Sequence, residues 1–164
     1  MKILFAGEGG QGVQAIAEIL AKAAFQEKKY ASYIPNFGVE QRGGVSLAFV
    51  IIDRQPIVYP KFEKADILAL LSNRSIERTK RYIEKKTKII LSPAVTKKFK
   101  IENLKLKIDH LSPRVWNVAV LGRVNKIGKL VTEKSLIKAM DERFARQFKK
   151  RPELRKLDLE ALKQ

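Results

Sequence analysis

The sequence predicts an α/β protein, a single domain whose mainly parallel, doubly wound sheet is flanked by helices. Short β-branched apolar segments alternate with longer segments whose apolar residues recur every three or four positions, the pattern of βαβ units. A glycine-rich turn joins the first strand segment to the first helical segment. A chain of 164 residues, 45% of them hydrophobic, can bury one core of ordinary size.

The amino-terminal part is predicted to contain four strands and one helix. The strands cover residues 2–7, 30–34, 45–52 and 67–71, where short apolar runs end at turn-forming residues. Residues 13–28 form the helix, because their apolar positions fall on one helical face. The second strand should end at Pro35, since proline cannot donate a hydrogen bond to a sheet.

The carboxy-terminal part is predicted to be richer in helix. Three helices should follow the cap residues Ser72 or Asn73, Ser112 and Thr132, and run to about residues 86, 128 and 148. A strand is expected at residues 89–91 and an edge strand near the end of residues 97–107. The domain then covers residues 1–150, and residues 151–164 form a tail, a short helix that docks on a neighbouring subunit.

Positive charge is concentrated in the second part of the chain. The net charge is +17, with 6 basic against 5 acidic residues in 1–60 and 28 against 12 in 61–164. Because the basic residues are spread along helical segments, a solvated surface explains them. The same charge would also suit an acidic partner subunit, an anionic substrate or a nucleic acid.

Composition excludes several kinds of site. With no cysteine and one histidine, His110, the chain cannot ligate an iron–sulfur cluster and lacks the parts of a zinc site or a Ser-His or Cys-His catalytic pair. We therefore expect no catalytic and no metal-binding residues here. The longest apolar run, residues 45–52, is far below the ~20 residues that cross a bilayer, and no signal-peptide core is present, which predicts a cytoplasmic protein without membrane attachment.

The glycine-rich turn fits the pattern G-x-G-x-x-G at Gly7, Gly9 and Gly12. Backbone N–H groups at such a strand-to-helix turn attract anionic groups, so a phosphate-bearing ligand is one interpretation and a tight turn without a ligand is the other. Classical NAD binding is disfavoured, because the second predicted strand ends without the carboxylate that would bind the ribose. The phosphate-binding lysine motif of nucleotide hydrolases is also absent from the sequence.

A second loop, residues 35–44, combines a proline and three glycines with two charged residues, Glu40 and Arg42. Polar groups on a loop beside the carboxyl end of a strand lie where α/β sheets usually bind ligands. The alternative is that Glu40 and Arg42 only hold the loop in place by hydrogen bonds.

Together these loops resemble the gamma subunit, or gamma domain, of the 2-oxoacid:ferredoxin oxidoreductases, the family of pyruvate, 2-oxoglutarate and 2-ketoisovalerate ferredoxin oxidoreductases. That family carries a G-x-G-G-Q-G turn and, about 25 residues later, a P-x-x-G-x-E-x-R-G-G loop. A third family motif, N-x-x-x-L-G, matches from Asn117 to Gly122, and the resemblance covers nearly the whole chain. The matching loop positions are Gly7, Gly9, Gly10, Gln11, Gly12, Pro35, Gly38, Glu40, Arg42, Gly43 and Gly44.

The resemblance implies a non-autonomous subunit of an enzyme that oxidatively decarboxylates a 2-oxoacid, 2-oxoglutarate or pyruvate, onto coenzyme A and reduces ferredoxin. It implies that thiamine diphosphate and iron–sulfur clusters belong to partner subunits and that this chain alone binds no cofactor. The partners implied are alpha, beta and, in some complexes, delta subunits, with ferredoxin reached through the complex. Self-association of the isolated subunit is a further expectation.

The resemblance also implies that this chain lines the active site near thiamine diphosphate and coenzyme A. Backbone groups of the glycine turn would contact a phosphate, Arg42 would be a charged contact, and Glu40 would orient it. The candidate cofactor-binding residues are Gly7, Gly9, Gly10, Gln11, Gly12, Gly38, Glu40, Arg42, Gly43 and Gly44.

Two other functions remain as alternatives. A stand-alone dinucleotide-binding dehydrogenase would use the glycine turn, and tight binding of NAD or NADP by the isolated chain would identify it. A basic nucleic-acid-binding module would use the positive charge, and its binding would fall steeply with salt. We expect neither nucleic acid nor membrane as a partner.

Overall fold

The computed structural model describes residues 1–37, 44–97, 99 and 103–164. Short 3-10 helices occur at Lys80–Tyr82 and Pro113–Val115. The strands are β1 (Lys2–Glu8), β2 (Tyr30–Phe37), β3 (Val45–Asp53), β4 (Ile67–Leu70), β5 (Lys88–Leu91) and β6 (Asn103–Lys105). The helices are α1 (Val13–Gln26), α2 (Ser75–Thr79), α3 (Trp116–Gly128), α4 (Glu133–Lys150) and α5 (Pro152–Leu162).

The six strands form one sheet in the order β2-β3-β1-β4-β5-β6. Strands β1, β4, β5 and β6 pair in parallel, whereas β3 runs antiparallel to both of its neighbours, β1 and β2. The predicted α/β fold with a mainly parallel sheet is therefore confirmed, with β3 as the reversed strand. This reversal brings the start of β3 beside the end of β1, because Glu8 pairs with Val45.

The sheet separates two hydrophobic cores. Alternate side chains of the strands point to opposite faces, so Ile3 and Phe5 join one core and Leu4 and Ala6 the other. Helices α1, α3, α4 and α5 cover the larger core. The second core is covered by α2 and by Phe62 and Tyr82, whose rings meet that of Phe49 edge-to-face at 5.3 Å.

The prediction that β2 ends at Pro35 is wrong, since the strand continues to Phe37. Pro35 pairs with Ala48 of β3 and lies on an edge strand, where its missing N–H can face away from the sheet without loss of a ladder bond.

The helix predicted to run to residue 86 is shorter than expected. Helix α2 ends at Thr79, a 3-10 turn follows, and Ile83 is already extended with φ −89° and ψ 136°. Lys64 donates to the carbonyl oxygens of Arg81 and Ile83. The backbone N–H of Ala65 donates to the carbonyl oxygen of Tyr82 at 2.9 Å. These tertiary bonds replace the bonds that further helix would make.

The caps predicted at Ser112 and Thr132 are confirmed, Ser112 at the 3-10 turn that leads into α3 and Thr132 at the start of α4. The Ser112 hydroxyl accepts from the backbone N–H of Arg114, and Thr132 Oγ1 accepts from that of Ser135 at 3.2 Å. Residues 152–162 are helical, and α5 packs on α3 and α4 of the same chain. Docking of this tail on a neighbouring subunit stays a prediction.

The contact between α3 and α5 depends on Gly122. A Cβ atom at this position would overlap the carbonyl oxygen of Leu162 and would lie 2.8 Å from its carbonyl carbon.

Within the part of the chain that the structure describes, no helix has the length and apolar character needed to cross a membrane.

Candidate functional site

The glycine-rich turn lies at the carboxyl end of β1 and leads directly into α1. Gly10 has φ +92° and Gly12, the residue before the helix, has φ +75°. Residues with a Cβ rarely adopt these conformations, so glycine at both positions is required by the path of the chain. A Cβ at Gly10 would meet no atom within 4 Å, which means that this part of the turn faces open space.

The Gln11 side chain stabilises the turn through two hydrogen bonds to the backbone. Its Oε1 accepts from the backbone N–H of Glu8 at 2.8 Å, and its Nε2 donates to the carbonyl of Leu71 at 3.4 Å. A Cβ at Gly7 would approach Gln11 Oε1 to 2.6 Å. Gln11 and Gly7 therefore shape the turn. The backbone N–H groups of Gly9 and Gln11 are themselves used, in hydrogen bonds to the carbonyl oxygens of Gly44 and Glu8.

The two sequence motifs meet in the structure at their described residues. The backbone N–H of Gly9 donates to the carbonyl oxygen of Gly44 at 2.9 Å, next to the Glu8–Val45 strand pair. Gly44 is the last residue of the second motif. The other candidates of that motif, Gly38, Glu40, Arg42 and Gly43, lie outside the described residues.

Gln14 connects the first turn of α1 to strands β3 and β2. Its Nε2 donates to Ser46 Oγ at 2.8 Å and to the carbonyl of Leu47 at 2.9 Å, and its Oε1 accepts from the Tyr33 hydroxyl at 2.8 Å. Gln14 was not among the residues predicted from the sequence. Its polar side chain in the first helical turn, directly after the glycine motif, was the signal available.

Glu8 forms a polar cluster with the residues that follow β4. The Ser72 hydroxyl donates to Glu8 Oε1, and Arg74 Nη1 lies 3.2 Å from Glu8 Oε2. The contacts of Ser72 and Arg74 with Glu8 were not predicted from the sequence, although β1 and β4 are parallel and their carboxyl ends share one edge of the sheet. The cluster fixes the rim of the sheet beside the glycine turn.

The third motif lies against the first. A Cβ at Gly12 would overlap the side-chain amide of Asn117, and Asn117 Oδ1 accepts from the backbone N–H of Val118 at 2.9 Å at the start of α3. The asparagine of the N-x-x-x-L-G motif thus packs on the glycine turn, while its glycine, Gly122, receives α5.

A pocket of about 670 Å³ opens between the glycine turn and the ends of α3, α4 and α5. Gly10, Gln11 and Gly12 form one wall. The charged side chains that line it are Arg114, Arg143, Arg151 and Asp158.

Asp158 is the unusual member of this pocket. It lies on the buried side of α5 with 9% of its surface exposed, and among the described residues no hydrogen-bond or ion-pair partner reaches its carboxylate. Burial raises the pKa of Asp158 from 3.8 to about 6. Because the folded pKa is the higher one, ionising this group destabilises the fold as the pH rises from about 4 to about 6, and the cost persists above that range.

The charged residues of the pocket were not predicted from the sequence, because residues 151–164 were predicted to be a tail that docks on a neighbouring subunit. A signal for Asp158 was nevertheless present. It stands between Leu154 and Leu162 at intervals of four residues, which puts an acid in the apolar stripe of a helix.

Comparison with known proteins gives a consistent result. Residues 2–164 match the family model described as pyruvate ferredoxin/flavodoxin oxidoreductase. The chain is 33% identical over 159 residues to the pyruvate synthase subunit PorC of Methanothermobacter marburgensis, covering 88% of this chain and 86% of that protein.

Two solved structures share the fold. A keto/oxoacid ferredoxin oxidoreductase gamma subunit from Geobacter sulfurreducens matches with a TM-score of 0.78 and 23% identity, covering 98% of this chain and 93% of that one. A 2-oxoglutarate:ferredoxin oxidoreductase from Magnetococcus marinus, with 2-oxoglutarate, coenzyme A and succinyl-CoA bound, matches with a TM-score of 0.86 and 20% identity. That match covers 99% of this chain and 29% of the longer one.

Proposed function

The chain belongs to the pyruvate ferredoxin/flavodoxin oxidoreductase family, and we propose that its two glycine loops form the part of a 2-oxoacid:ferredoxin oxidoreductase that receives coenzyme A. The resemblance seen in the sequence is confirmed at the level of the family. Its relatives are gamma subunits of multi-subunit oxidoreductases, and this chain is an enzyme subunit of that kind.

One observation carries the proposal. The hydrogen bond from Gly9 to Gly44 joins the two motifs at one rim of the sheet. Strands β1 and β4 end at this rim, where α/β sheets place their ligands. The open face of the turn at Gly10 would let a phosphate approach the backbone at the start of α1 without meeting a side chain.

The residues present fit a phosphate-bearing coenzyme better than a redox centre. The sequence offers no cysteine for an iron–sulfur cluster, so clusters would belong to partner subunits, as would thiamine diphosphate. Coenzyme A supplies the thiol that carries the acyl group away. This chain would hold its phosphates through the glycine turn and Arg42, and Glu40 would orient the Arg42 guanidinium.

The first test is assembly. A tagged copy of the chain, expressed in its native cells, should co-purify with larger thiamine-binding alpha and beta subunits, and the chain alone should not oxidise a 2-oxoacid. Co-purification without such subunits, or tight binding of NADP by the isolated chain with turnover, would support the dehydrogenase instead.

The second test concerns the loop itself. In the assembled complex, Arg42→Ala should raise the KM for coenzyme A about tenfold with a smaller change in kcat, because a phosphate contact contributes to ground-state binding. Arg54→Ala is the matched control, since Arg54 follows β3 at the opposite end of the strand. An unchanged KM in an intact complex would remove Arg42 from the site.

A further inference from the structure

We propose that the pocket between the glycine turn and helices α3, α4 and α5 binds an adenine nucleotide, with Arg114 and Arg151 facing the phosphate and Asp158 accepting a hydrogen bond from the adenine amino group. The inference rests on the proposed function where the nucleotide is that of coenzyme A. A free adenine nucleotide has the same chemistry and is the other source.

Asp158 is the first support. An ionised carboxylate only accepts hydrogen bonds, and a buried one without a partner destabilises the protein. Asp158 is nine-tenths buried, lines the pocket and has no partner among the described residues. A ligand that brings an N–H donor to this position would provide the missing bond.

The arginines are the second support. Two arginines of this region are neutralised within the chain, since Arg143 pairs with Glu18 at 2.6 Å and Arg155 with Asp141 at 2.7 Å. In contrast, no carboxylate of the described residues pairs with Arg114 or Arg151, which both line the pocket. Guanidinium groups left without a carboxylate are suited to a phosphate.

The separation of these charges indicates the shape of the ligand. Asp158 and the two arginines line one pocket without pairing with one another, so the ligand must present an anionic group and a hydrogen-bond donor at a distance from each other. Val115, Trp116 and Leu154 line the same pocket and offer apolar surface against which a flat base can pack. A volume of about 670 Å³ is sufficient for a nucleotide.

The test compares two nucleotides that differ at C6 of the base, the group whose substituent Asp158 would contact, and in a hydrogen on the adjacent N1. AMP carries an amino group at that edge of the base and IMP carries a carbonyl oxygen, which a carboxylate repels. Isothermal titration of the full-length chain near neutral pH should show AMP binding at least about tenfold more tightly than IMP, as expected for one charge-assisted hydrogen bond gained or lost.

Three variants give the proposal its controls. Asp158→Asn should abolish the preference for AMP, because an amide can present either its oxygen or its NH₂ group. The same variant should raise the Tm by about 4 °C, since it removes a buried charge, whereas a purely structural role would lower the Tm. Arg151→Ala should weaken AMP and IMP equally, and Lys150→Ala, which removes the neighbouring charge outside the pocket, should change neither.

Three results would each overturn the proposal: equal binding of AMP and IMP, no binding of AMP at millimolar concentration, or an AMP preference that survives Asp158→Asn.

A last measurement identifies the source of the nucleotide. If Asp158→Asn raises the KM for coenzyme A in the assembled complex, the nucleotide is that of the coenzyme. If the KM is unchanged while AMP discrimination is lost, it is a free nucleotide. Assembly with partner subunits is scored separately, so failure here leaves the family function untouched.

Discussion

Gly122→Ala is expected to destabilise the protein by about 3 kcal/mol, although the change improves helix propensity. Alanine in a helix interior is favoured over glycine by about 1 kcal/mol. At Gly122 the added methyl group would overlap the carbonyl oxygen of Leu162, a backbone atom that cannot rotate away as a side chain can. Helix α5 must move. Overpacking typically costs about 1–3 kcal/mol and occasionally more, and for an overlap with backbone we take about 4 kcal/mol, which leaves a net loss of about 3 kcal/mol after the gain in helix propensity.

The displacement would spread because α5 is anchored by buried residues. Ala161 and Leu162 belong to the main core, and both are nearly inaccessible to solvent. Urea denaturation measures the loss, and Gly128→Ala in the same helix is the matched control. The nearest atom to a Cβ there is in the Leu130 side chain, at 2.8 Å, and can adjust. A Gly122→Ala variant as stable as the parent would show that α5 does not pack as described.

Glu27→Gln is expected to produce the second largest loss, about 2 kcal/mol near neutral pH. Glu27 follows α1 and bridges to the start of α4: its Oε1 accepts from the backbone N–H and the hydroxyl of Thr132, both at 2.7 Å. Lys29 donates to its other oxygen at 2.9 Å. A neutral amide would weaken the charge-assisted bonds and turn an N–H group toward one of these donors.

The pH dependence of this effect follows from the pKa of Glu27. Burial alone would raise it, but hydrogen bonds from Thr132, Lys29 and Ser135 outweigh burial and lower it from 4.5 to about 2. Because the folded pKa is the lower one, the stabilisation is complete above pH 4.5 and is lost as the pH falls toward about 2. The full shift corresponds to about 3 kcal/mol, which we reduce to about 2 for screening by solvent.

Thermal denaturation of both proteins between pH 2 and pH 7 checks this expectation. The two unfolding curves should converge toward the acidic end and separate above pH 4.5. Glu142→Gln is the control, because Glu142 pairs with Lys22 on the surface and should have a much smaller effect. A constant difference across the whole range would mean that shape, and not charge, makes Glu27 important.

Local chemistry explains what the sequence could predict. The strand, glycine turn and helix from Lys2 to Gln26 were predictable because periodicity and glycine spacing act over a few residues. The Thr132 cap was predictable for the same reason. Pro35 was misread because the rule that proline interrupts strands gives way at a sheet edge, and edge position depends on the order of strands far apart in sequence.

The candidate site was predictable only in part. Gly9 and Gly44 were identified from their motifs, and the structure brings them into contact. Asp158 and Arg151 enter the pocket only because α5 folds back on α3, which depends on the fit between Gly122 and Leu162, forty residues apart. A contact of this kind leaves no periodic trace in the sequence.

The reversed strand β3 restricts how this protein can change length. Seven residue pairs hold β1 to β3, and the last of them sets Gly44 beside Gly9. Inserting one residue into β3 would turn every following side chain to the opposite face of the sheet and exchange core residues with those of the other layer. Viable insertions in this strand should therefore come in twos or be absorbed by a bulge.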